Sequence, residues 1–572
     1  MGWTLACLCA GMVGADEARP NVLIVLVDDA GYGDLGCHGH PFLKTQHIDR
    51  LHAQSVRFTD FHVAPMCSPT RGQLLTGCHG LRTGVTSVTA GRTFIRPEFP
   101  TLPQMFSAAG WRTGLFGKWH LGDNHPHRPM DRGFQDVVWG RGWGFTSAPE
   151  FANTLIDGTL LRGTTEERFP GYITDVCFNE AMRFMRASQQ AKQPFFCFLP
   201  LHAAHVPHVV PPAYSEPYTS KPAADFFGML ANIDENMGRL EVFLAQSGLA
   251  DDTLVIFLTD NGGTAGVKIF NGGLRGHKTT YYEGGHRVPC FLRWPRGGFG
   301  APRDLNALTQ VQDLVPTLLE LTAVPRLPGP EFDGTSLVPV LRGTGELPDR
   351  TLMVQYGPGA GEKDTSGPKE HRAAVLWRQW RLVHGSELYD VVADRAQEHD
   401  IAADHPQIVA QLRTDYERWW ATVNGRLRDF VPVAVGNAAE PVVELASSDW
   451  QDVYADNARH IRQGVGGPRG APWNIQVERA GLYDIELQRW PFSLSVALDG
   501  NVDPPGTVMP IRAATLTIAG TTTRIELPAA SPSARFRVRL DTGRTQLHGW
   551  FQDANGSDLC GAYFARITWA AP

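Results

Sequence analysis

The sequence predicts an α/β protein: a mixed, mostly parallel sheet sandwiched by helices, then a smaller α+β subdomain and an appended β-sandwich-like domain. Three observations predict it. Short apolar runs unbroken by polar residues recur through the first half of the chain. Amphipathic stretches of helical length lie between them, and after Phe430 the texture changes to short alternating strands parted by Gly, Pro and Asp.

The runs at 22–27 (VLIVLV), 113–117 (TGLFG), 195–199 (FFCFL) and 253–259 (TLVIFLT) have the length and content of strands buried on both faces. Helical patterns at 174–189 and 225–246 alternate with them, as in a sheet covered on both sides. In such sheets the site lies outside the carboxyl ends of the strands. Those ends carry Asp28-Asp29, Lys118-Trp119-His120, the pair His202 and His205, and Asp260-Asn261. One acidic pair after a strand is usually a solvated turn. Four polar strand ends that can converge point to a site.

At 572 residues the chain exceeds one ordinary core. The alternation weakens near Pro325, giving a first domain over 20–325. A smaller sheet at 373–383, closed by an amphipathic helix at 406–423, occupies 326–430. Strands at 473–478, 481–489, 494–498, 514–518 and 534–540 make a sandwich pattern over 431–572.

Residues 1–15 read as a leader, apolar from 3 to 13 and ending in Val13-Gly14-Ala15. That implies an exported protein, periplasmic or secreted; the alternative is a frayed terminus. Hydrophobic residues at 42% and charged residues at 19% describe a globular protein, with no stretch long enough to span a bilayer. A net charge of -7 without any basic run argues against a nucleic-acid partner. Nine cysteines are present, and the seven beyond the leader are scattered, with no metal-ligand spacing. An odd count in an exported chain implies one thiol with a separate fate.

The segment 67–77 (CSPTRGQLLTG) has a local logic. Ser68 suits a helix cap, Pro69 the first turn, and Gly77 the end. Cys67 would then precede a helix N-terminus, where backbone N–H groups favour an anion, with Arg71 one turn on. A buried structural cysteine beside a surface arginine fits the spacing equally well.

Cys-x-Pro-x-Arg followed by Leu-Leu-Thr-Gly resembles the signature of the formylglycine-dependent sulfatases of the alkaline phosphatase superfamily. The blocks 21–36 (NVLIVLVDDAGYGDLG), 114–122 (GLFGKWHLG), 258–263 (LTDNGG) and 274–289 (LRGHKTTYYEGGHRVP) resemble the family's others, in order. Residues 387–390 (ELYD) look like the opening of its last subdomain. The match runs over about residues 20–430 and is nearest arylsulfatases acting on carbohydrate sulfates.

The resemblance implies a sulfuric ester hydrolase in which Cys67 is oxidised to formylglycine (3-oxoalanine) by a maturation enzyme. One hydroxyl of the aldehyde hydrate attacks sulfur; the second loses its proton and expels sulfate. It further implies that Asp28, Asp29, Asp260, Asn261 and modified Cys67 ligate Ca²⁺, with Mg²⁺ the second choice. Asp260 would be the base, Arg71 and Lys118 would hold diol and sulfate, and His120 would take the second hydroxyl's proton. His205, in His-x-Pro, would protonate the leaving group with help from Lys278. Lys118, His205 and Lys278 would contact the substrate, a sulfated saccharide.

Three positions depart from the pattern. Gln46 stands where proline is usual, Cys78 where an arginine assists maturation, and His286 where the family is aliphatic. Arg141 and Trp143 suit either loop packing or a sugar. Two rival readings are a phosphate or phosphonate monoester hydrolase of the same superfamily and a catalytically dead carbohydrate-binding protein.

Overall fold

The computed structural model describes residues 19–357 and 367–571; the leader expected at 1–15 lies outside them. Five parallel strands form the centre: β1 (Asn21–Val27), β2 (Arg112–Lys118), β3 (Asp136–Gly140), β4 (Phe195–Pro200) and β5 (Thr253–Thr259), in the spatial order β5-β1-β4-β2-β3. Antiparallel neighbours extend both sides. Cys290–Arg293 pairs β5 and then Val56–Phe58; Thr159–Arg162 pairs β3. The sheet reaches ten strands.

β1 shows why these strands carry no polar positions. Val22, Ile24 and Leu26 face one core, with Leu74 and Leu75 of helix α1 (Cys67–Thr76). Leu23, Val25 and Val27 face the other, with Phe178 and Phe184 of α2 (Ile173–Gln190) and Phe226 and Leu240 of α3 (Ala224–Gln246). Side chains alternate with period two, and both faces are covered.

A second, antiparallel sheet joins Thr351–Val354, Ala374–Trp377, Trp380–Val383 and Glu387–Asp390. Helix Pro406–Val423 covers one face through Val409, Leu412, Tyr416 and Trp420. The other face packs Val354, Ala374 and Leu376 toward Met66 and Cys67. The small sheet is thus a wall behind the start of α1. Arg381 fastens it: fully buried, its guanidinium donates to Glu283 and Asp60, each at 2.8 Å.

The C-terminal region is two sheets around a shared core that includes Trp450, Trp473 and Trp490. The strand expected at 494–498 is absent. There the Val496 N–H bonds back to the Leu494 carbonyl and the Leu498 N–H to Ser531, so the segment has no ladder partner. Gly543–Gln552 and Phe564–Ala571, which the sequence reading passed over, are central strands instead.

Candidate active site

β1, β2, β4 and β5 are adjacent and parallel, so their carboxyl ends open on one pocket. Asp28 and Asp29 follow β1, Lys118 ends β2, and Asp260 and Asn261 follow β5. Backbone hydrogen bonds hold these ends in register: the Asp260 N–H donates to the Val27 carbonyl, and Asp28 exchanges bonds with Ala203 and Ala204 beyond β4. Asp29 and His120 have φ of 57° and 59°, conformations rare outside glycine that concentrate at functional sites. Gly117, at φ 135°, lies so close to the Pro200 carbonyl that no side chain fits beside Lys118.

Cys67 is the first residue of α1, with Met66 at the N-cap and Gly77, at φ 69°, closing the helix. Ser68 does not cap the helix; its hydroxyl donates instead to the His120 carbonyl at 2.8 Å, tying α1 to the β2 end. The Cys67 thiol lies 3.6 Å from Asp28 Oδ1 and 3.4 Å from Asn261 Oδ1, and receives the Lys278 ammonium at 3.3 Å. Arg71 is buried beneath it. Its Nη2 donates to Asp28 Oδ2 at 3.0 Å and Asp260 Oδ2 at 3.1 Å, and Nη1 to the Lys118 carbonyl at 2.7 Å.

Lys118 Nζ lies 2.5 Å from Asp28 Oδ2, and Lys278 Nζ 2.5 Å from Asp29 Oδ1. Asn261 Nδ2 also donates to Asp29 Oδ1, at 3.0 Å. Burial alone would raise Asp28, but Lys118, His205, Arg71 and Lys278 together hold it well below the usual carboxylate range. Asp260 moves the opposite way, raised by burial and by Asp28 against the pull of Arg71 and Lys118. Burial and Asp28 push the Cys67 thiol up to about 12, so the unmodified thiol stays protonated at neutral pH.

His120 donates from Nε2 to the Val88 carbonyl at 2.9 Å, leaving a buried Nδ1 with no partner among the described residues. His205 donates from Nδ1 to the Val206 carbonyl, and its Nε2 is 3.7 Å from Asp29 Oδ2. His202 is buried against Phe145, away from solvent. Asp28, Asp29, Lys118, His120, His205, Asp260 and Asn261 therefore border one pocket, whereas His202 and Trp119 pack into the core. Asp28, Asp29, Cys67 and His205 place donor atoms within 4.8 Å of one another.

Two of the three departures resolve as packing, and Gln46 is exposed at the start of helix Gln46–Ala53. Cys78 is buried in the core, its thiol 3.5 Å from the Glu331 carbonyl. His286 pairs with His62, ring nitrogens 2.9 Å apart. Arg141 is held by Glu150 and Glu166. Trp143 lies on the rim: its ring meets His205 at 5.1 Å, and its indole N–H donates to the Asp456 carbonyl at 3.2 Å. Sequence reasoning missed Val88 and Asp456 because a backbone carbonyl leaves no mark in the sequence.

A model described as sulfatase matches residues 20–324. Arylsulfatase A of Homo sapiens is 32% identical over 451 residues, covering 73% of this chain and 86% of that protein. N-acetylgalactosamine-6-sulfatase of Canis lupus familiaris is 31% identical over 62% of this chain and 73% of its own length. Among solved structures, Ps i-CgsB in complex with k-i-k-neocarrahexaose is 25% identical with a TM-score of 0.63, over 70% of this chain and 92% of that one. With that family match laid over the strand-end pocket, the chain belongs to the sulfatases and is a sulfate-ester hydrolase.

Proposed function

We propose that this enzyme removes sulfate from a saccharide, using a formylglycine made from Cys67 and a hard divalent cation, Ca²⁺ before Mg²⁺. The observation that carries the reading is the setting of Cys67, at a helix start among Asp28, Asn261 and Lys278 with Arg71 beneath it.

The donor set supports the cation. Asp28, Asp29 and Asp260 offer carboxylate oxygens and Asn261 an amide oxygen, with no soft ligand except the residue to be oxidised. When bound, the ion would withdraw charge from a sulfate oxygen and favour ionisation of the nucleophile. Three carboxylates already face three cations, Arg71, Lys118 and Lys278. A divalent ion would leave the pocket positive, as an anionic ester requires.

The aldehyde hydrate supplies two hydroxyls on one carbon, one to attack and one to reopen the aldehyde. Asp260 would accept the attacking hydroxyl's proton, and Arg71 and Lys118 would orient the diol and the sulfate oxygens. His120 is fixed as the Nε2–H tautomer by Val88, so its free Nδ1 would accept the second proton. His205 Nε2, with Lys278 beside it, would donate to the departing alcohol oxygen. Such proton transfers each contribute about 10²–10⁴-fold.

Trp143, half-buried on the rim beside His205, would stack on the sugar. The 431–572 domain would brace that rim through Asp456. The segment 67–77 would be the recognition element of a formylglycine-generating enzyme in an exported chain. No helix among the described residues is long and apolar enough to cross a membrane.

The test is a mass spectrum of the peptide containing residue 67 from the native host. A loss of about 18 Da, one sulfur exchanged for one oxygen and two hydrogens removed, supports the mechanism. An unmodified thiol in active enzyme sinks it. A panel of sulfated sugars with phosphate monoesters as controls tests the substrate class, and turnover of the phosphates alone would overturn it.

A further inference from the structure

Packed against Phe291 and the core that holds Leu23 and Val25 lies a second cluster with different chemistry. The loop leaving Asp28 and Asp29 passes through Tyr32 into a single 3-10 turn, Gly36–His38, closed by Gly39 at φ 90°. Helix Gln46–Ala53 returns beside it and carries His52 in its last turn. Cys37 Sγ and a ring nitrogen from each of His38 and His52 all lie within 4.8 Å of one another. We propose that Cys37, His38 and His52 form a zinc site separate from the catalytic pocket.

The ligand types select the ion. One thiolate and two imidazoles suit Zn²⁺, whereas the carboxylate-rich pocket suits Ca²⁺. Tetrahedral zinc needs its donors roughly 3.3–3.8 Å apart, which donors all within 4.8 Å of one another reach with at most a modest contraction.

The supporting contacts are those of a built site. His38 donates from Nδ1 to the Tyr32 carbonyl at 2.6 Å, which fixes the tautomer and leaves Nε2 as the ligand. The Tyr32 ring stacks on His38 at 4.0 Å, and Phe291 presents its ring to both histidines, at 5.8 and 5.0 Å. Asp49 anchors the thiol turn by accepting the Cys37 N–H and the Thr45 hydroxyl, each at 2.8 Å on Oδ1. His38 makes its one side-chain hydrogen bond through Nδ1, and the His52 side chain makes none among the described residues. Burial lowers both histidines, which favours the neutral ligand form, while burial and Asp49 push the Cys37 thiol well above its ordinary range, so zinc itself has to displace that proton.

All three ligands are half-buried, so a fourth position is open to water. On binding, the Cys37 S–H gives up its proton to solvent and a sulfur–zinc bond replaces it, with no change of oxidation state. The ion would tie the loop that follows Asp28 and Asp29 to helix Gln46–Ala53. The proposal does not depend on the catalytic reading.

Cobalt is the probe. Reduced full-length protein titrated with Co²⁺ should develop a thiolate-to-cobalt charge-transfer band saturating at one equivalent and erased by Zn²⁺. Cys67→Ser should keep the band and Cys37→Ser should lose it. His52→Gln, a half-buried change, should weaken binding at least about 10-fold and abolish the rise in melting temperature that zinc gives the parent. No band in the parent protein, or a band that survives Cys37→Ser and disappears in Cys67→Ser, overturns the proposal.

Discussion

Trp143 donates its indole N–H to the Asp456 carbonyl, 3.2 Å away, so a loop after β3 and a loop of the C-terminal sandwich meet beside His205. The two chains of backbone run on from there: Ala148 N–H also donates to Asp456, and Ala458 N–H to Thr146. Trp143→Ala should lower kcat/KM on a sulfated saccharide about 10-fold, the worth of one aromatic contact of roughly 1.5 kcal/mol. A nitrophenyl sulfate, with no sugar to stack, should be nearly unaffected. Equal losses on both substrates would argue that the tryptophan only packs.

His205→Gln separates leaving-group protonation from binding. A sugar alcohol leaves poorly without a proton, so its rate should fall about 10²–10⁴-fold. Nitrophenolate leaves without help and should lose far less. If both substrates suffer alike in kcat, His205 is not the acid.

Removal of the metal is expected to cost stability as well as rate. A chelator should inactivate the enzyme, and Ca²⁺ should restore it better than Mg²⁺. At a concentration 100 times its Kd the ion adds about 2.7 kcal/mol, visible as a higher melting temperature. Asp29→Asn should abolish most of that shift. Full activity after exhaustive chelation would remove the cation from the mechanism.

Arg381→Met tests the buried clasp between the small sheet and the core. Asp60 and Glu283 would each lose a charge-assisted partner, costing about 3–5 kcal/mol in urea titrations. Burial would raise both carboxyls, yet Arg381 with its neighbours holds both below their ordinary range. Groups depressed in this way add stability above their unfolded pKa, about 4, which disappears as pH falls below it. The parent should therefore lose urea resistance steeply below about pH 4, and the variant more shallowly. Parallel pH profiles would mean that Arg381 contributes packing only.

Most of the strand-end pocket was legible in sequence because a parallel sheet converts linear order into convergence. An apolar run ending in Asp28-Asp29 and another ending in Asp260-Asn261 specify two strands and the polar groups at their ends. Once β1 and β5 are neighbours, those groups have to meet. The start of α1 was read two residues late, because Ser68 is a good cap in isolation and its hydroxyl is taken by His120 across the fold. Residues 494–498 alternate like a strand and are not one, since a ladder needs a neighbour and that segment has none.

The sequence by itself determined the α/β class, the identity of the pocket's charged residues and the family they belong to, since these reside in local pattern and in motif order. Tertiary structure alone decided which groups face one another: Val88 behind His120, Asp456 behind Trp143, Arg381 between Asp60 and Glu283, and Cys37 beside His52. Such pairs are set by how strands and loops pack across tens to hundreds of residues, and through backbone carbonyls that look alike in every sequence. Spacing along the chain carries no trace of them.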